Sequence, residues 1–258
     1  MFKIKSNKLP LNLVCGFFLA FVSHVTLADK NEQSIFDKSR DRNIPVTVSK
    51  PINSASCMQK NQCPVAIISA GYGIKHTEYQ FIETLLKQRG FLTIAVGHEL
   101  PSDPPLSVTG NLYQTRSENW QRGATTLRFV RSFLGEKFVG YNFNALTLIG
   151  HSNGGDISSW LANENVDFIE RVITIDHRRV PLPRNHNIKV LSIRGSDFPA
   201  DEGVLYIPSE LSEYPVCVVK IDKSRHNDMY DGGPTWLKEA ITDKIALFLT
   251  DKPCSNKH

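Results

Sequence analysis

The chain alternates uniformly apolar runs with helix-like stretches, and this alternation constrains its fold more than any other feature. "PVAIISA" (64–70), "FLTIAVGHE" (91–99), "ALTLIG" (145–150), "RVITID" (171–176), "KVLSIRG" (189–195) and "VCVVKID" (216–222) recur along it. Runs that stay apolar through successive positions, instead of alternating, belong to strands covered on both faces. The earlier "IPVTVSKP" (44–51) alternates and also reads as a strand. Between them lie helical patterns. Residues 76–89 carry Phe81, Leu85 and Leu86 on one side, and Gly90 closes them. Residues 117–134 place Ala124, Leu127, Val130 and Leu134 at helical spacing, 153–162 form a third helix, and 234–250 a fourth with Pro234 in its first turn. The predicted architecture is an α/β fold, a mostly parallel central sheet with helices on both faces. The 258 residues suit a single domain over 29–258, and no stretch is long enough for a large cap domain. The longest irregular piece, 100–113 with Pro101, Pro104 and Pro105, reads as a loop bordering a pocket. Residues 29–43 are polar and read as loosely held.

The first 28 residues have a different character. Lys3, Lys5 and Lys8 precede the uncharged run "LVCGFFLAFV" (13–22), and Thr26-Leu27-Ala28 supplies small residues at cleavage offsets. This is the pattern of a secretory signal peptide, with an uncleaved N-terminal anchor as the alternative. The segment holds three lysines and no acidic residue, so the net charge of +4 falls to +1 without it. That leaves no electrostatic case for nucleic acid. The remaining Cys57, Cys63, Cys217 and Cys254 are an even number in a predicted oxidising compartment, periplasmic or secreted. They allow three pairings. Cys57 and Cys63 are spaced to staple a loop, and Cys217 and Cys254 to tie a late strand to the C-terminal tail. A buried free thiol at Cys217 is the other reading.

One junction carries chemistry. In "LTLIGHSNGGDISSW" (146–160) an apolar strand meets Gly150-His151-Ser152-Asn153-Gly154, and a helix follows. A serine hydroxyl becomes a nucleophile only when a base takes its proton. A sharp strand-to-helix turn can present it, provided glycines two residues before and after relieve the crowding. Ser152 is therefore the candidate nucleophile. Beyond the leader the histidines are His76, His98, His151, His177, His186, His226 and His258. His226 follows the last apolar strand, where a base can reach the C-terminal edge of the sheet. It is the candidate base, with His177 second, while His151 is expected to pack beside the turn. The acid that orients the base is expected after a strand. Asp197 in "SIRGSDFPAD" fits the chain order Ser…Asp…His, and Asp201 and Asp176 compete with it. For the oxyanion, the Asn153 backbone N–H and one from the Gly71-Tyr72-Gly73 loop are expected, with Tyr72 favoured.

In this order, "SAGYG", "GHSNGG", strand-"GSD" and "SRHND" resemble the α/β-hydrolase superfamily. The early "SRDRNIPVTVSKP" is similar to the opening strands of dienelactone-hydrolase-like and platelet-activating-factor-acetylhydrolase-like members. Many relatives have His-Gly where this chain has Ala70-Gly71, and dienelactone hydrolases use cysteine where it has Ser152. The resemblance implies a serine esterase working through an acyl-enzyme on small esters, with no metal or organic cofactor. A silent binding protein on the same scaffold, or an amidase or thioesterase, are the alternatives. Arg178 and Arg179, with Arg184 beyond, follow the strand that ends at Asp176 and are candidate readers of an anionic substrate group.

Overall fold

The computed structural model describes residues 31–251. The predicted leader (1–28), Cys254 and His258 lie outside the described residues. The sheet has eight strands in the order β1-β2-β4-β3-β5-β6-β7-β8. They are β1 (Asn31–Asp37), β2 (Arg42–Ser49), β3 (Cys63–Ser69), β4 (Leu92–Val96), β5 (Tyr141–His151), β6 (Ile169–Ile175), β7 (Lys189–Arg194) and β8 (Val216–Lys220). Only β1–β2 and β2–β4 pair antiparallel, and the rest of the sheet is parallel.

Helices cover both faces, as the continuous apolar strands require. On one face α2 (Leu112–Gly135) and α3 (Asn153–Ala162) bury Trp120, Leu127, Ile157 and Leu161 against Val65, Ile67, Leu146, Leu148 and Val172. On the other, α1 (Gln80–Gln88) and α4 (Thr235–Phe248) bury Ile82, Leu86, Leu237 and Ile241 with Ala66, Ile68, Ile149, Ile173 and Leu191. Successive strand residues point to opposite faces, so each strand feeds both layers. Full burial of such a side chain is worth ~1.5–3 kcal/mol, which makes the two layers the main source of stability.

Two departures from the sequence reading bear on the site's surroundings. Residues 31–37 form β1, not a loose lead-in, because Ile35 is buried and the strand pairs along its length with β2. Helix α2 starts five residues before the expected point, where the Asn111 side chain accepts from the Gln114 amide and caps it. The loop before α2 is pinned to the sheet. Arg42 on β2 forms a two-pronged ion pair with Asp103 (2.6 Å on each prong) and donates to the His98 carbonyl. Cys57 and Cys63 are disulfide-bonded, as their spacing suggests. Cys217 is also disulfide-bonded and packs in the core.

Candidate active site

The strand-to-helix turn forms as the glycine spacing predicts. Ser152 takes φ 52°, ψ −120°, in the left-handed half of φ space that L-residues avoid, between the end of β5 and the start of α3. A Cβ at Gly150 would lie 2.2 Å from the Gly154 carbonyl oxygen, and one at Gly154 would lie 2.2 Å from that of Ser69. Any side chain at either position would force the turn open. The Ser152 amide donates to the Ile175 carbonyl at 2.9 Å, which ties the turn to the end of β6.

Three side chains meet there in line. His226 Nε2 lies 3.0 Å from Ser152 Oγ. His226 Nδ1 lies 2.6 Å from Asp176 Oδ2. The carboxylate accepts at Nδ1, which leaves the Nε2 lone pair facing the serine hydroxyl. Asp176 is fully buried and also accepts from the Gly195 amide (2.8 Å), with Arg194 Nη2 at 3.1 Å. Burial works to raise its carboxyl, but the His226 hydrogen bond, the Arg194 charge and the Gly195 amide outweigh burial and hold it below the ordinary value.

The structure corrects the expected acid. Asp197 does not meet the His226 ring; its Oδ1 accepts from the His226 backbone amide at 2.9 Å. It lies exposed two residues beyond Gly195, whereas Asp176 directly follows β6, the strand beside the one that leads into Ser152. Asp201 is engaged by the Arg179 guanidinium. Among the other histidines, His177 is fully buried with Nε2 on the Val180 carbonyl (3.1 Å). His98 is bound to Ser69 Oγ (2.9 Å). Burial, more than any neighbouring charge, pushes both imidazoles down to about 3. His76 and His98 line a cleft of about 460 Å³ beside the Gly71 loop.

His151 has a structural task. Its Nε2–H donates to the His226 carbonyl at 3.1 Å, since a carbonyl can only accept. Its Nδ1 must then accept, and the Tyr79 hydroxyl donates to it at 2.8 Å. Tyr79 Oη accepts in turn from the Gly71 amide at 3.0 Å. One relay thus joins the loop after β3 to the segment carrying His226. The Gly71 amide is thereby committed to Tyr79.

Asn153 is the first residue of α3, so its backbone N–H has no intrahelical acceptor. Its side chain is held from three sides. Oδ1 accepts from Trp120 Nε1 (2.9 Å), and Nδ2 donates to Asn119 Oδ1 (2.9 Å) and, at 3.5 Å, to Glu99. Asn119 donates to both Glu99 oxygens. Nothing in the spacing of Glu99 and Asn119 announced this network. Tyr72 Oη accepts from the Leu106 amide (3.1 Å), so the pinned loop reaches the same edge of the site.

The candidate anion readers separate. Arg179 pairs with Asp201, while its backbone amide donates to Asp156. Arg184 pairs with Glu210. Arg178 Nη2 lies 3.3 Å from His226 Nε2, the nitrogen that faces Ser152 Oγ. Among the described residues no group of three or more His, Cys, Asp or Glu is placed to hold a metal ion.

No family model and no curated protein matches the chain in sequence. Solved structures do match in fold. Esterase 2 from Thermogutta terrifontis, phosphonylated by cyclosarin, superposes with a TM-score of 0.63 at 11% identity, covering 86% of this chain and 95% of that one. Est1E from Butyrivibrio proteoclasticus gives 0.56 at 15% identity, over 85% and 98%. A putative dienelactone hydrolase from Klebsiella pneumoniae subsp. pneumoniae MGH 78578 gives 0.59 at 15% identity, again over 85% and 98%.

Proposed function

We propose that this chain, whose fold is the α/β-hydrolase fold, is a serine hydrolase of carboxylic esters. The observation that carries the reading is the line Ser152 Oγ–His226 Nε2 (3.0 Å), His226 Nδ1–Asp176 Oδ2 (2.6 Å) on a strained turn. Ser152 Oγ attacks the ester carbonyl carbon while its proton passes to His226 Nε2. Asp176 holds the ring and stabilises the imidazolium. The oxyanion of the tetrahedral intermediate accepts from the Asn153 and Tyr72 amides. Collapse breaks the bond to the alkoxide, which takes the proton from His226 and leaves as the alcohol. Water then gives a proton to His226 and attacks the acyl-serine, and the carboxylic acid and free Ser152 are released.

An ester is the simplest substrate this machinery serves, because its leaving oxygen needs only the proton that His226 already carries. Export to an oxidising compartment is part of the proposal, supported by the Cys57–Cys63 disulfide. No helix among the described residues is long and apolar enough to cross a membrane.

A fluorophosphonate probe tests the reading directly, since the fold neighbour esterase 2 is phosphonylated by an organophosphorus agent. Labelling is expected on the folded protein, absent in Ser152→Ala and strongly reduced in His226→Ala. Folded protein that takes no label would make the scaffold a binder and overturn the proposal.

A further inference from the structure

Arg178 occupies a position that ester hydrolysis alone does not explain. Its Nη2 approaches the same nitrogen that accepts from Ser152 Oγ, His226 Nε2, at 3.3 Å. A guanidinium has donors only, and a neutral imidazole with Nδ1 protonated has a single lone pair at Nε2. Arg178 and Ser152 therefore compete for the base. The guanidinium lies over the exposed Phe198 ring, 4.6 Å from its centroid, and Phe198 in turn meets the His226 ring edge-on.

Each nearby carboxylate is already engaged elsewhere. Asp176 serves His226, Gly195 and Arg194. Asp156 accepts from the amides of Arg179 and Val180. Asp201 is paired with Arg179, and Asp197 accepts from the His226 amide. The Arg178 backbone amide also bonds to Asp156, but among the described residues its guanidinium is in no ion pair with a carboxylate. A second cation adds to its field. Arg116 on α2, with Nε fixed to the Ser107 carbonyl at 2.7 Å, is held below its ordinary basicity first by burial and then by the charges of Arg179 and Arg178, which Asp156 partly offsets. A guanidinium with a free planar edge beside a nucleophile is a receptor for a carboxylate, which it can grip with two parallel bonds.

We propose that the site takes esters that carry a carboxylate a few atoms from the scissile carbonyl, and that this carboxylate draws Arg178 off His226. The proposal rests on the esterase reading above and adds the substrate class. With no anion bound, Arg178 occupies part of the base's lone pair and slows the enzyme on neutral esters. When an anionic ester binds, the guanidinium turns to the carboxylate, Nε2 belongs to Ser152 alone, and the carbonyl is placed over the nucleophile.

The test compares monomethyl succinate and monomethyl glutarate with methyl butanoate and methyl pentanoate, following released acid by titration at constant pH. The wild-type chain is expected to prefer the half-esters. Arg178→Gln is expected to lose at least ten-fold in kcat/KM on a half-ester and to gain on its neutral counterpart. A ratio between the two that Arg178→Gln leaves within two-fold of wild type overturns the proposal. Calorimetric titration of Ser152→Ala with succinate and glutarate gives a reading without turnover. Binding that is lost when Arg178→Gln is added supports the anion site even if neither ester class is hydrolysed, in which case the esterase reading alone fails. Hydrolysis at an unchanged ratio with no dicarboxylate binding leaves the esterase standing and removes the anion site.

Discussion

His151 Nε2 donates to the carbonyl of His226 at 3.1 Å, so the residue before Ser152 holds the segment that carries the His226 ring. The ring is buried and its burial pushes it down to about 3, which keeps it neutral and fixes one nitrogen as donor and the other as acceptor. Burial raises the Tyr79 phenol, which therefore stays protonated and donates to that acceptor. Removing the hydroxyl strands both the Gly71 amide and His151 Nδ1. Tyr79→Phe is expected to destabilise the fold by ~1–3 kcal/mol, the cost of buried polar groups left unpaired. It should also lower kcat on a neutral ester by about ten-fold, because orientation at the site loosens. Urea unfolding and steady-state kinetics on the same preparations check both.

Asp176 and Asp197 divide the carboxylate contacts to His226, ring to one and backbone to the other. Asp176→Asn should cost ~10³–10⁴-fold in kcat, since an amide no longer favours the productive tautomer or the charged ring. Asp197→Asn should cost less than about ten-fold, because the amide oxygen still accepts from the His226 backbone. Equal losses in the two variants would show that the ring contact has no special role.

Gly154 sets how closely the turn approaches β3. A Cβ there would lie 2.2 Å from the Ser69 oxygen, which is backbone and cannot rotate away. Gly154→Ala is expected to destabilise by about 3 kcal/mol or more, at the upper end of overpacking costs. Denaturant midpoints compared with wild type provide the measurement, and a variant as stable as wild type would mean that the turn is not tightly packed.

Asp156 gives a pH signature. Burial pushes its carboxyl up to about 6, against the pull of the Val180 and Arg179 amides. The folded value lies above the unfolded one, so the folded chain binds the proton more tightly. The resulting stability is fully present below about pH 4 and is lost as pH rises through about 6. The loss is on the order of 3 kcal/mol, from the size of the displacement. Asp156→Asn cannot ionise, so its thermal midpoint should gain on wild type between pH 4 and pH 7.5. A difference that stays constant across that range would rule this carboxyl out as the titrating group.

The sheet was readable because its strands are apolar along nearly their whole length, which only a doubly covered strand requires. The candidate nucleophile and base were readable for a related reason: Gly150 and Gly154 are demanded by local crowding, and His226 lies just past the last strand. The acid was not. Asp176 and Asp197 both follow apolar strands and both satisfy the order Ser…Asp…His, so chain order could not separate them. What separates them is burial and adjacency to β5, which depend on how the sheet is assembled. Strand β1 escaped notice because an edge strand with one buried apolar side chain, Ile35, gives almost no pattern. The Tyr79–His151 relay and the Glu99–Asn119–Asn153 contacts join residues far apart in sequence, with no local cue to announce them.

The Ser152 amide bonds to the Ile175 carbonyl, and His151 and Ile175 are register partners on β5 and β6. Ser152 and Asp176 therefore each sit one residue past the same rung of a parallel ladder. The span between them is inherited from the main-chain pleat, whose inter-strand repeat of about 4.8 Å is common to all sheets. Side chains beneath the rung can be exchanged freely while that gauge stays constant. A sequence can thus drift far from its relatives and still deliver the two groups at an unchanged separation.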